Sequence, residues 1–70
     1  MDEALAARIM RGALSMDKVF GELDDAIRTI PDETERKKLL EGLAKLMFDV
    51  NDTIIRPIAR QHPKLDPNPL

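Results

Sequence analysis

From Leu5 to Ile30 apolar residues return every three or four positions without interruption. With Ile9, Met16, Leu23 and Ile30 at heptad position a, Leu5, Gly12, Val19 and Ala26 fall at d, and Ala6, Ala13, Phe20 and Ile27 at e. All are apolar except Gly12, while Arg11, Asp17, Lys18, Asp24, Asp25 and Arg28 fall on the other side. A period of about 3.5 to 3.6 residues sustained over this length is a helix signal that no strand pattern imitates. It predicts a helix over residues 3–29. The small Ala6 and Ala13 thin the e row, so a neighbouring backbone can come close there. Gly12 and Gly21 each cost a helix about 0.8 to 1.0 kcal/mol relative to alanine, which tertiary contact must offset.

Ile30-Pro31-Asp32-Glu33-Thr34-Glu35 ends that helix and starts another. Pro31 biases Ile30 away from the α region, and Asp32 with Glu35 three residues on is an aspartate variant of the capping box. A turn at 30–32 makes the two helices antiparallel neighbours. The second carries Leu40, Leu43, Met47, Val50, Ile54 and Ile58 on one stripe, widened by Leu39 and Leu46, and spans 33–60. Pro57 predicts a kink, because it lacks an N–H and its ring meets the Thr53 carbonyl. Beyond His62, Pro63, Pro67 and Pro69 favour an extended, polyproline-like tail over 63–70. That tail reads first as a disordered end; the alternative is that Ile58, Leu65 and Leu70 pin it to the bundle or to a partner. The fold expected is all-α, an antiparallel two-helix hairpin over 1–62 with a proline-rich extended tail.

A 70-residue chain is short of core, since a single core below roughly 70 to 80 residues rarely supplies more than 3 to 5 kcal/mol. Disulfides, metals and oligomerisation are the usual supplements. With no cysteine and one histidine, only the last is open. The expected partner is therefore a second copy, two hairpins closing a four-helix bundle as a homodimer. Met10 and Leu14, read as the outer side of the first helix, and Phe48, Ile55 and Ala59, off the main stripe of the second, form the candidate interaction surface. The second reading of the same surface is a groove for a helix of another protein. On this assignment Leu23→Asp should unfold or dissociate the protein. Leu14→Asp should spare the hairpin and weaken only the assembly.

Chemistry finds few candidates. No Glu-x-x-His pair exists, since the residue three before His62 is Ala59, and a lone histidine without cysteine makes zinc improbable. Ser15, Thr29, Thr34 and Thr53 have no histidine at helical spacing. Asp24 with Arg28, Glu33 with Lys37, Glu41 with Lys45 and Asp52 with Arg56 match the i,i+4 order of helix-supporting ion pairs. The three glycines are dispersed. No catalytic, cofactor or metal residue is assigned, no small-molecule substrate is inferred, and an enzyme is not expected.

Arg36, Lys37 and Lys38 make a candidate basic patch, but Glu33, Glu35 and Glu41 flank it. The net charge is −2, and neither Tyr nor Trp is present for bases to stack on. Nucleic acid is not an expected partner, although a nucleic-acid-associated regulator built on the same dimer is the alternative function. No apolar run spans a bilayer, so no membrane partner is expected, and the cytoplasm is the expected location. The function expected first is a small non-catalytic interaction or adaptor module that self-associates through its amphipathic helices.

Overall fold

A computed structural model describes residues 1–68. Helix α1 spans Glu3–Ile27 and α2 Glu33–Val50; a π turn at Asn51–Ile55 leads into α3, Arg56–Gln61, and a 3₁₀ turn covers Pro63–Leu65. Among the described residues there is no strand. Both long helices start at an aspartate. The Asp2 carboxylate accepts the Leu5 N–H at 2.7 Å, and Asp32 accepts the Glu35 N–H at 2.8 Å, each satisfying a donor the helix itself leaves free. Arg36 then reaches back across the turn, its Nη1 donating to the Ile30 carbonyl at 2.8 Å. Turn and cap together set α2 antiparallel to α1. Asp32→Ala should cost about 1 kcal/mol. In a domain of this size that lowers the thermal midpoint by about 4 to 8 °C, read by circular dichroism with helicity at low temperature preserved. An unchanged midpoint would mean that Arg36 alone holds the turn.

Pro57 is absorbed rather than obeyed as a stop. The π turn adds one residue to the helical ring just before it, with the Arg56 N–H donating to the Asn51 carbonyl. This widening accommodates a proline whose ring crowds the preceding turn and whose nitrogen donates nothing. The helix therefore continues to Gln61.

The segment after His62 differs from the extended tail that its prolines suggest. Pro63 opens a 3₁₀ turn, where a missing donor is no loss; Leu65 N–H donates to His62 O at 2.9 Å and Asp66 N–H to Pro63 O at 3.2 Å. Asn68 N–H then bonds Asp66 Oδ1 at 2.9 Å. These turns fold the segment back, and Leu65 packs on the core. Pro69 and Leu70, and with them the anchoring role considered for Leu70, lie outside the described residues. His62 Nε2 lies 3.1 Å from the Met1 carbonyl, a contact met when Nε2 carries the proton.

The core is small and has two parts. Ala6, Met10 and Ile58 form one, with Leu14, Ile55, Ala59 and Leu65 packed against it. Ala13, Phe20 and Leu43 are buried nearer the turn. Ala6 is wholly buried, so the small residues of the e row are where α1 lets its neighbour approach. The a and d rows are not inside the hairpin. Leu5, Ile9, Met16, Val19 and Leu23 all remain exposed, which corrects the assignment of that stripe to the intramolecular core.

The outcome is a thin rod of 47 × 22 × 16 Å. Its radius of gyration, 14.8 Å, exceeds the roughly 11 Å of a compact domain of this length. Its accessible surface is 5460 Å², against about 4,400 Å² for a compact monomer of the same mass. A hairpin one helix deep has no third layer to cover its outer rows.

Candidate self-association face

The residues read from sequence as an interaction surface separate into two groups. Met10 is only 3% exposed, and Leu14, Ile55 and Ala59 are half-buried against the Ala6–Met10–Ile58 cluster. These four close the end of the hairpin where α1 meets the π turn and α3. They are core, because Ala6 and Ala13 draw the contact line to their own side of α1 and carry Met10 inward with them. Phe48 alone is exposed, at 61%, and it stands by itself about 140° around α2 from the buried Leu43.

The larger apolar surface lies elsewhere. Each residue advances about 100° around a helix, which places Leu5, Ile9, Gly12, Met16, Val19 and Leu23 in one row about 100° from the Ala6–Met10–Ala13 contact line. In an antiparallel pair, the same rotation away from the contact line leads to the same side of the hairpin on both helices. Leu39 and Leu46, exposed at 45% and 55%, lie on that side by this rule, as does Gly42. One face of the rod thus carries Leu5, Ile9, Gly12, Met16, Val19 and Leu23 of α1 together with Leu39 and Leu46, two of the four leucines of α2. Sequence reasoning found this row but placed it inside. The signal that could have separated the two rows was the run of small residues at 6 and 13.

The other side of the hairpin is different in kind. A shallow groove there is lined by Asp17, Phe20, Gly21, Asp24 and Met47, and a second brings Asp17 and Asn51 beside Leu14, Ile55 and Pro67. Carboxylates and amides interrupt the apolar lining, so this side has less to gain from being covered.

Among the described residues six charged side chains pair locally. Asp24–Arg28, Glu33–Lys37 and Asp52–Arg56 close at 2.9, 3.1 and 3.4 Å, all within a helix; Glu41 and Lys45 do not pair. The hydrogen bond to Asp24, and then the attraction between the charges, raise the Arg28 pKa. A guanidinium already protonated in water gains no new chemistry from this. The basic triplet is dispersed: Arg36 is engaged with Ile30 O, Lys37 with Glu33, and Lys38 stands exposed by itself. Among the described residues no group of three or more His, Cys, Asp or Glu side chains is placed to hold a metal ion. No described helix is long and apolar enough to cross a membrane.

Compared with protein-family models, curated proteins and solved structures, the chain matches none.

Proposed function

We propose that this protein is a non-catalytic interaction module that works as a self-associated helical hairpin, the a/d face of α1 with Leu39 and Leu46 meeting the same face of a second copy. The observation that carries this reading is the exposure of that entire row on a chain too small to afford it. Burying a single leucine, isoleucine or methionine contributes roughly 1.5 to 3 kcal/mol, comparable with all that a core of this size supplies. The single hairpin also exposes about 1,000 Å² more than a compact monomer of its mass, an excess spread over all its sides to which this apolar row contributes. Two hairpins stacked through this face make a four-helix bundle with a closed core. Nothing in the arrangement of Arg36, Lys37 and Lys38 favours nucleic acid over this.

Sedimentation equilibrium over a wide concentration range, with helicity recorded on the same samples, tests the reading. The expected result is a dimer whose thermal midpoint rises with protein concentration, since association stabilises the folded state by mass action. A fully helical monomer with a concentration-independent midpoint would overturn it.

A further inference from the structure

We infer that the two copies meet through antiparallel α1 helices, in a register that seats Met16 of each in the notch left by Gly12 of the other. This inference rests on the proposed self-association and deepens it. The row Leu5, Ile9, Gly12, Met16, Val19, Leu23 is complementary to its own reverse about the level of residue 14. Laid antiparallel, Leu5 meets the partner's Leu23, Ile9 meets the partner's Val19, and Gly12 meets the partner's Met16. The one residue without a side chain faces the longest side chain in the row. A parallel register would instead set Gly12 against the partner's Gly12 and Met16 against the partner's Met16, leaving a void in one layer and crowding the next.

Gly12 has no intramolecular reason to be glycine. Nothing lies within 4 Å of where its Cβ would be, so alanine or a larger residue would fit the hairpin and would form helix better. The same open space surrounds Gly21 and Gly42, so it permits a close approach at Gly12, and the register is what brings a partner side chain there.

Charge complementarity points the same way. The residues flanking the row on the side away from α2 are Arg8, Ser15 and Glu22, spaced one heptad apart. Arg8 and Glu22 are exposed, and neither takes part in the ion pairs formed among the described residues. In the antiparallel register Arg8 lies about 3 Å along the axis from the partner's Glu22, an offset that long side chains span, and does so twice, once at each end, with Ser15 near the two-fold axis. The Ser15 hydroxyl already donates to the Gly12 carbonyl at 2.6 Å, so no unsatisfied donor is carried to that axis. A parallel pairing sets the same charges against the partner's Ala13 and Ile27 and gains nothing.

The test uses Arg8→Glu, Glu22→Arg and Gly12→Leu in the whole chain, with association followed by sedimentation and helicity by circular dichroism. Arg8→Glu and Glu22→Arg should each weaken self-association by roughly tenfold at low salt, since two attractive pairs become repulsive. Mixed together, they should form a heterodimer of about wild-type affinity, because both ends then pair opposite charges; added salt should flatten these differences. Gly12→Leu should preserve or raise helicity yet weaken the dimer at least tenfold by overpacking against Met16. A wild-type dimer that is indifferent to the charge changes, or strengthened by Gly12→Leu, would overturn the register while leaving self-association standing. A monomeric wild type would overturn both.

Discussion

Met10→Asp is expected to abolish the helical signal of this protein at room temperature. Met10 is 3% exposed and lies between Ala6 and Ile58, with Leu14, Ile55, Ala59 and Leu65 packed around them. None of these neighbours offers a side-chain donor to a carboxylate. A charge left unpaired there costs several kcal/mol, more than the roughly 3 to 5 kcal/mol a core of this size provides. Met10→Leu is the control: it conserves volume and chemistry and should cost less than about 1.5 kcal/mol. Far-ultraviolet circular dichroism with thermal melts distinguishes the two. A cooperative melt retained by Met10→Asp would show that the cluster at the α1–α3 end is not what closes the hairpin.

That expectation revises a pair drawn from sequence alone, in which Leu23→Asp unfolds or dissociates the protein and Leu14→Asp spares the hairpin: Leu14 packs on the core, and Leu23 is 43% exposed, so of its two outcomes only dissociation remains. The period was legible because it is a property of one helix: a run of apolar residues from Leu5 to Ile30 fixes both the helix and its amphipathic arc. The hairpin was legible for a similar reason, since Pro31 and Asp32 act on residues one to three positions away. Which edge of a wide arc meets α2 is another matter. It depends on how closely two backbones can approach, and Ala6 and Ala13 decided it over the bulkier a and d residues beside them. Close approach along the e row brings Met10 and Leu14 inward and turns Ile9, Met16 and Leu23 outward.

The far end of the chain was harder to read. Prolines at 57 and 63 signal only that a standard α turn cannot pass through them unchanged. The chain answered with a widened turn before Pro57 and a tighter one after His62. Both keep Ile58 and Leu65 facing Ala6 and Met10, a contact some fifty residues away in sequence to which no local pattern refers. The same limit hid the basic triplet's fate, because Arg36 is recruited to the Ile30 carbonyl by the turn and not by its neighbours Lys37 and Lys38.

The second large effect is expected from Met16→Asp, and it should fall on association rather than on the hairpin. Met16 is 38% exposed in the single chain, so an aspartate there keeps access to water and leaves the Ala6–Met10–Ile58 cluster untouched. In a two-fold dimer the substitution counts twice. Because Met16 is only 38% exposed beforehand, covering two of them contributes about 1 to 2 kcal/mol, roughly tenfold in the dissociation constant, to which is added the penalty of bringing two carboxylates into an apolar seam. The variant should sediment as a monomer where the wild type is dimeric, and its thermal midpoint should lose its dependence on concentration. Phe48→Asp is the informative contrast, since Phe48 is the more exposed of the two at 61% but sits on the back of α2. It should leave the dimer intact. If Phe48→Asp dissociates the protein and Met16→Asp does not, the association face lies on α2, and the a/d row of α1 is an exposed stripe without a partner.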